Sequence, residues 1–250
     1  MLYSAIMRVF LAGATGAIGR RLLPLLLRAG HAVVGTTRSV DKARELELAG
    51  IMPAVLDVFD RQAVIDAVRA AQADVIIHQL TDLPRQFDPA RVLAAYARNA
   101  QIRTEGTRNL IAAARIASVR RFVVQSIAFA YREGREPHTE TEPLNLDDPM
   151  RAVTVRGAVA MEQQVLGDPA LEGIVLRYGL LYGPGTWYAA AERKPALHVD
   201  AAAHAALLAV TAGSAGIYNI ADDEGLVAID KARAALGFDP RFRLDCDMDY

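Results

Sequence analysis

Short apolar runs alternate along this chain with longer stretches in which apolar residues return every three or four positions. The runs read as buried strands over residues 7–11, 32–36, 52–56, 74–78, 121–125, 173–177 and 216–220. Between them, helical spacing predicts helices near 41–49, 61–70, 88–115, 153–166, 201–210 and 230–236. In a further helix, Ile18, Leu22, Leu25 and Ala29 fall on one face and Gly30 supplies the stop. Pro24 lies inside that helix, where the missing N–H predicts a kink. Asp88-Pro89 opens the long 88–115 stretch as an N-cap followed by proline, and Val92, Tyr96, Thr107, Leu110 and Ala114 continue its periodicity. Strands alternating with helices predict an α/β fold of the Rossmann type, a doubly wound parallel sheet covered on both faces.

The junction of the first strand and first helix carries the most information. Residues 9–19 read Val-Phe-Leu-Ala-Gly-Ala-Thr-Gly-Ala-Ile-Gly. Gly13 permits a tight turn, Gly16 lets the backbone approach a pyrophosphate, and Gly19 lets the helix pack on the strand. The N–H groups of the first helical turn then face the phosphates. Thr15, Ala17 and Ile18 complete this expected cradle.

The second strand ends in Thr37-Arg38 rather than in an acid. A carboxylate there accepts from a ribose 2′-hydroxyl and repels a 2′-phosphate, whereas a guanidinium grips the phosphate. Arg38 therefore favours NADP over NAD, although an exposed arginine ahead of the next helix has the same local sequence. On this reading residues 1–177 form a dinucleotide-binding core and residues 178–250 a small substrate lobe interleaved with it.

Composition narrows the partners. A net charge of −1 offers no electrostatic footprint for nucleic acid or an anionic membrane. No apolar run approaches the roughly 20 residues that span a bilayer, and the N-terminus lacks the layout of a secretory signal, so a cytoplasmic protein is expected. The single cysteine, Cys246, excludes an intrachain disulfide, and the histidines at 31, 78, 138, 198 and 204 show no metal-binding spacing. No metal is expected.

Several further segments resemble the NAD(P)-dependent epimerase/dehydratase family, within the extended and atypical short-chain dehydrogenases/reductases. They are residues 13–19, Leu56-Asp57-Val58, 76–80, Glu105-Gly106-Thr107 with Asn109-Leu110, 122–126, 176–185 and His198-Val199-Asp200. The resemblance implies that Asp57 accepts from the adenine amino group, that Val58 flanks the ring, and that Gln79 and Leu80 lie along the dinucleotide. A turn or helix cap is the alternative for Asp57.

The chain departs from the family where the chemistry is expected. Family enzymes carry Tyr-x-x-x-Lys on the helix after the fifth strand, the lysine lowering the tyrosine pKa so that the phenol works as acid or base. Aligned through Glu162, those positions here are Thr154 and Ala158, and residues 150–170 contain neither tyrosine nor lysine. The family's carbonyl-orienting serine or threonine falls on Ile127, beside Ser126. Ser126 and Tyr131 are the catalytic candidates that remain, with Tyr178, Tyr182 and His138 as lesser ones. Arg103 and Arg177 either hold an acidic substrate or form structural ion pairs. The sequence thus predicts an oxidoreductase or epimerase/dehydratase acting on a small carbonyl or hydroxyl compound. The alternative is a non-catalytic redox sensor or scaffold that binds NADP. The resemblance also implies a homodimer through the 88–115 and 153–166 helices, with Val155, Val159 and Val165 either as contacts there or, with equal claim, as core residues.

Overall fold

The computed structural model describes residues 6–84 and 86–245; Cys246 lies outside them. In chain order its elements are β1 (Arg8–Ala12), α1 (Ala17–Arg28), β2 (Ala32–Thr37), α2 (Val40–Leu48), β3 (Met52–Val55), α3 (Arg61–Ala71), β4 (Val75–His78) and α4 (Pro89–Gln101). A π-helical segment (Ile102–Gly106) leads into α5 (Thr107–Ile116), β5 (Arg121–Ile127), α6 (Ala152–Leu166) and β6 (Glu172–Tyr178). After these come β7 (Leu180–Tyr182), β8 (Ala196–His198), α7 (Val199–Leu208), β9 (Gly216–Ile220) and α8 (Asp230–Leu236).

Seven strands form one sheet in the order β3-β2-β1-β4-β5-β6-β9, every neighbouring pair parallel. The order reverses between β1 and β4, which opens a crevice at their carboxyl ends. Alternation along β1 divides the core. Val9 and Leu11 face the layer of Leu22, Leu26, Ala202 and Ala206, while Phe10 and Ala12 face that of Val64, Val68, Leu110, Met161 and Val165.

The last third of the chain is built into these layers. β9 extends the sheet beside β6, and the alanine face of α7 packs on α1. Small residues allow that close approach. A two-stranded parallel pair, β7 with β8, stands apart from the main sheet; its three-residue strands are too short for a readable alternation. The long helix expected over 88–115 is interrupted by the π-helical segment, and α1 runs continuously across Pro24. Val155 and Val165 are fully buried in the core, which selects the core of the two roles open to them.

Candidate dinucleotide site

The three glycines of the cradle have different physical reasons to be glycine. Gly13 has φ +97°, and a Cβ there would lie 2.7 Å from the Gln79 carbonyl oxygen. At Gly19 a Cβ would collide with the Gly13 carbonyl. Both are required by the fold itself. Gly16 differs: its φ of −80° suits any residue, and an added Cβ would meet only the Gly13 oxygen at 3.4 Å. Its missing side chain leaves room in front of α1, as close approach of a phosphate requires.

That helix end is open to an anion. Gly16 is the N-cap, no side chain among the described residues caps it, and no acid lies in its first turn. The Gly16 N–H donates to Gly13 O (3.1 Å) and the Gly13 N–H to Thr36 Oγ1 (3.1 Å), which fixes the turn to β2. The Ile18 side chain is buried in the core, so it can serve a ligand through its backbone alone. Thr15 O accepts from Arg20 Nε (3.2 Å), and Gly185, in the turn after β7, comes within 4.0 Å of Ala17 as measured from an added Cβ. Farther along that turn Trp187 Nε1 donates to Pro84 O (2.7 Å), and its ring meets Phe87 edge-on at 5.4 Å. The turn thus ties to the segment after β4. Its tryptophan, the only one in the chain, escaped the sequence reading as a site residue.

At the other end, Arg38 makes a forked pair with Asp82, Nη2 to Oδ1 at 2.9 Å and Nη1 to Oδ2 at 3.3 Å. The Asp82 hydrogen bond holds the Arg38 pKa above its ordinary value. Arg98 Nε lies 3.7 Å from the same carboxylate, and its guanidinium stacks 4.3 Å over the Phe59 ring. Asp57 Oδ1 accepts from the Phe59 N–H (3.0 Å), so the carboxylate closes a turn while its side chain stays about half exposed. Val58 is buried beneath Gly106, and Asn109 Nδ2 holds its carbonyl at 2.9 Å.

Between these ends lie Gln79 and Leu80. Gln79 Nε2 donates to Tyr178 Oη (3.2 Å), while its Oε1 is buried with no partner among the described residues. An orphaned acceptor beside the cradle suits a ligand donor. Leu80 O accepts from Gln125 Nε2 (3.0 Å), and the Leu80 N–H donates to His78 Nδ1 (3.2 Å). The latter contact places the His78 proton on Nε2, toward Thr107 Oγ1 at 3.2 Å. Burial, aided by the charge of Arg103, lowers the His78 pKa to about 3.

The Ser126 and Tyr131 hydroxyls bond to different partners. The Ser126 hydroxyl donates to Glu162 Oε1 (2.5 Å), and Arg177 grips both Glu162 oxygens (2.9 and 2.7 Å). Arg177 Nη1 also donates to Tyr131 Oη (2.9 Å), which donates in turn to Asn219 Oδ1 (2.6 Å). Burial opposes the Arg177 charge, but the Glu162 contacts overcome it and raise its pKa. Burial raises the Tyr131 pKa, outweighing the neighbouring Arg177, and burial also raises that of Tyr178. Neither phenol is activated. His138 stacks on Tyr131 at 5.1 Å and pairs with Glu142 at 2.7 Å.

Hydrocarbon fills the positions that resemble the family's serine and lysine. Ile127 and Ala158 belong to one buried cluster with Ala130, Leu144 and Val155. The helix α6 carries neither tyrosine nor lysine, and Thr154 Oγ1, where the tyrosine would be, is buried without a partner among the described residues.

The NAD(P)H-binding family model matches residues 13–206. A 3-diazoavenalumate denitrifying reductase from a Streptomyces species is 42% identical over 241 residues, spanning 87% of this chain and 77% of the relative. A 2-alkyl-3-oxoalkanoate reductase of Stenotrophomonas maltophilia is 29% identical across 72% of this chain and 52% of its own length. Among solved structures, UDP-glucose 4-epimerase of Thermus thermophilus in complex with NAD superposes with a TM-score of 0.76, at 21% identity, over 97% of this chain and 96% of that one. UDP-glucose 4-epimerase of Thermotoga maritima, with UDP-glucose, also gives 0.76, at 16% identity over 94% of each chain. At those identities the structures speak for the fold, and the fold is the doubly wound one read from the sequence.

Proposed function

The chain belongs to the NAD(P)H-binding family, and from that premise we propose that it is a reductase that prefers NADPH and works on a small organic molecule without a tyrosine–lysine pair. The observation that carries this reading is a complete glycine cradle combined with an α6 that has neither residue. Gly13, Gly16, Gly19 and the backbone of Thr15, Ala17 and Ile18 would hold the pyrophosphate, and Arg38 the 2′-phosphate. Asp57 and Val58 would meet the adenine, with Gln79 and Leu80 along the connecting stretch. When bound, the nicotinamide supplies hydride.

Reduction of a carbonyl also needs a proton at oxygen, which the residues of α6 do not offer. A diazonium carbon needs none, because cation plus hydride gives a neutral product and dinitrogen with atoms and charge balanced. The Streptomyces relative is named for a diazo substrate and for denitrification. A carbonyl or hydroxyl substrate would instead require a relocated donor, for which Tyr131, supported by Ser126, is the candidate. A second reading, a sensor or scaffold that binds the dinucleotide without turnover, is favoured by the Ser126 and Tyr131 hydroxyls being engaged with Glu162 and Asn219. A homodimer through α4 and α6 would have to use exposed residues such as Leu93 and Val153.

Anaerobic NADPH oxidation separates these readings, with 4-carboxybenzenediazonium on one side and a panel of aldehydes, ketones and quinones on the other. Diazonium reduction above the enzyme-free rate is expected, with Ser126→Ala and Tyr131→Phe within about twofold of the parent, since no proton donor is lost. A loss of about 100-fold in Tyr131→Phe on a carbonyl would make Tyr131 the donor. NADPH binding without turnover on either class would favour the sensor.

A further inference from the structure

The buried charges around α6 do not balance. Arg177 and Glu162 close on each other at 2.7 Å, with Ser126 completing the carboxylate's contacts. Arg103 is only 7% exposed, yet among the described residues no carboxylate forms an ion pair with it. Its one hydrogen bond there runs from Nη1 to the Thr154 carbonyl oxygen (3.0 Å). Glu162 acts on it through its charge without forming an ion pair with it among the described residues, and is already engaged by Arg177. The neighbouring His78 is neutral and adds no negative charge. Burial lowers the Arg103 pKa to about 10, so it remains a cation at neutral pH. An unpaired buried ion costs several kcal/mol. An arginine left in that state is therefore expected to meet its counter-ion from outside the chain.

Local geometry gives the same direction. Arg103 lies in the π-helical segment, a form of helix that recurs at functional sites. Just before it α4 and α6 come into close contact, since a Cβ on Gly157 would lie 2.9 Å from the Ala100 Cα. That approach delivers the guanidinium to the first turn of α6. There Nη1 meets the Thr154 carbonyl oxygen, and the hydroxyl oxygen of the same residue is buried with no partner among the described residues. A fork of N–H donors and a hydroxyl with no partner among the described residues match a carboxylate. The dinucleotide phosphates are provided for elsewhere, at the N-terminus of α1.

We propose that Arg103 and the Thr154 hydroxyl form an anion subsite that takes the carboxylate of a small organic acid, the substrate of the reductase. The proposal rests on the dinucleotide-dependent reading above and adds the charge of the molecule to be reduced.

Calorimetric titration of NADPH-saturated protein with benzoate and with benzamide, its uncharged counterpart, tests it. Benzoate should bind the parent at least about tenfold more tightly than benzamide, as a charge-assisted contact requires. Arg103→Met should lose that tenfold while keeping NADPH affinity, Arg103→Lys should retain part of it, and Thr154→Val should weaken it. The melting temperature of Arg103→Met should rise, because a side chain of similar length removes an unpaired buried charge. A purely structural arginine would give a lower melting temperature and unchanged benzoate binding. Equal affinity for benzoate and benzamide, or benzoate affinity surviving in Arg103→Met, overturns the proposal. A parent protein that binds no NADPH overturns the dinucleotide reading instead, and the benzoate titration is then judged on the protein alone.

Discussion

Arg38 holds Asp82 in the geometry that a phosphate would use, so a 2′-phosphate reaching it must displace a carboxylate. The pair is partly exposed, which keeps it weak. Asp82→Asn should therefore raise the preference for NADPH over NADH only about threefold to fivefold, measured as a ratio of dissociation constants. Arg38→Asp should shift the ratio toward NADH, and an unchanged ratio would remove Arg38 from the site. His78 gives a second prediction. Its folded pKa of about 3 lies below the ordinary 6.5, so the unfolded chain binds the extra proton between those values. Its contribution to stability is complete above about pH 6.5 and is lost as pH falls toward 3. Thermal melts of His78→Gln should show a shallower pH dependence across that window than the parent. At this scale the glycines were legible because their motif is local. The partners of Arg38 and Ser126 were not, since Asp82 and Glu162 lie 44 and 36 residues away.

Helix α6 shows what an element can reveal and conceal. Its sequence shows that tyrosine and lysine are missing, but not that Ala158 is sealed among Ile127, Ala130, Leu144 and Val155. A lysine there could not regain its family role. Ala158→Lys should destabilise the fold by several kcal/mol, because the ammonium would be buried without a partner. Urea unfolding measures this, and a loss below about 1 kcal/mol would show that the side chain escapes to solvent. Most strands and helices were readable from apolar runs and helical spacing. The π-helical segment was not, because the apolar spacing from Val92 to Ala114 continues through it as though the helix were uniform.

At the scale of the whole molecule, strand order does most of the positioning. The reversal between β1 and β4 sets the glycine cradle against Gln79, while β5 and β6 bring Ser126 and Arg177 beside α6. The parallel, doubly wound plan was legible from the alternation of strands and helices. The seating of α7 on α1 was less so, because an alanine-rich helix looks alike in a core or on a surface. The central claim is that this architecture exists to hold a nicotinamide dinucleotide, and Gly16 isolates it. Its backbone accepts any residue and its surroundings admit a Cβ, so Gly16→Val should fold, its melting temperature lowered only by the roughly 1 kcal/mol that a poorer N-cap costs. Calorimetric titration of the parent and of Gly16→Val with NADPH and NADH is the decisive measurement. The parent should bind, NADPH more tightly, and the variant should lose at least about tenfold in affinity through obstruction of the phosphate approach. Binding of neither dinucleotide to the parent, or equal binding by a well-folded Gly16→Val, would contradict the account.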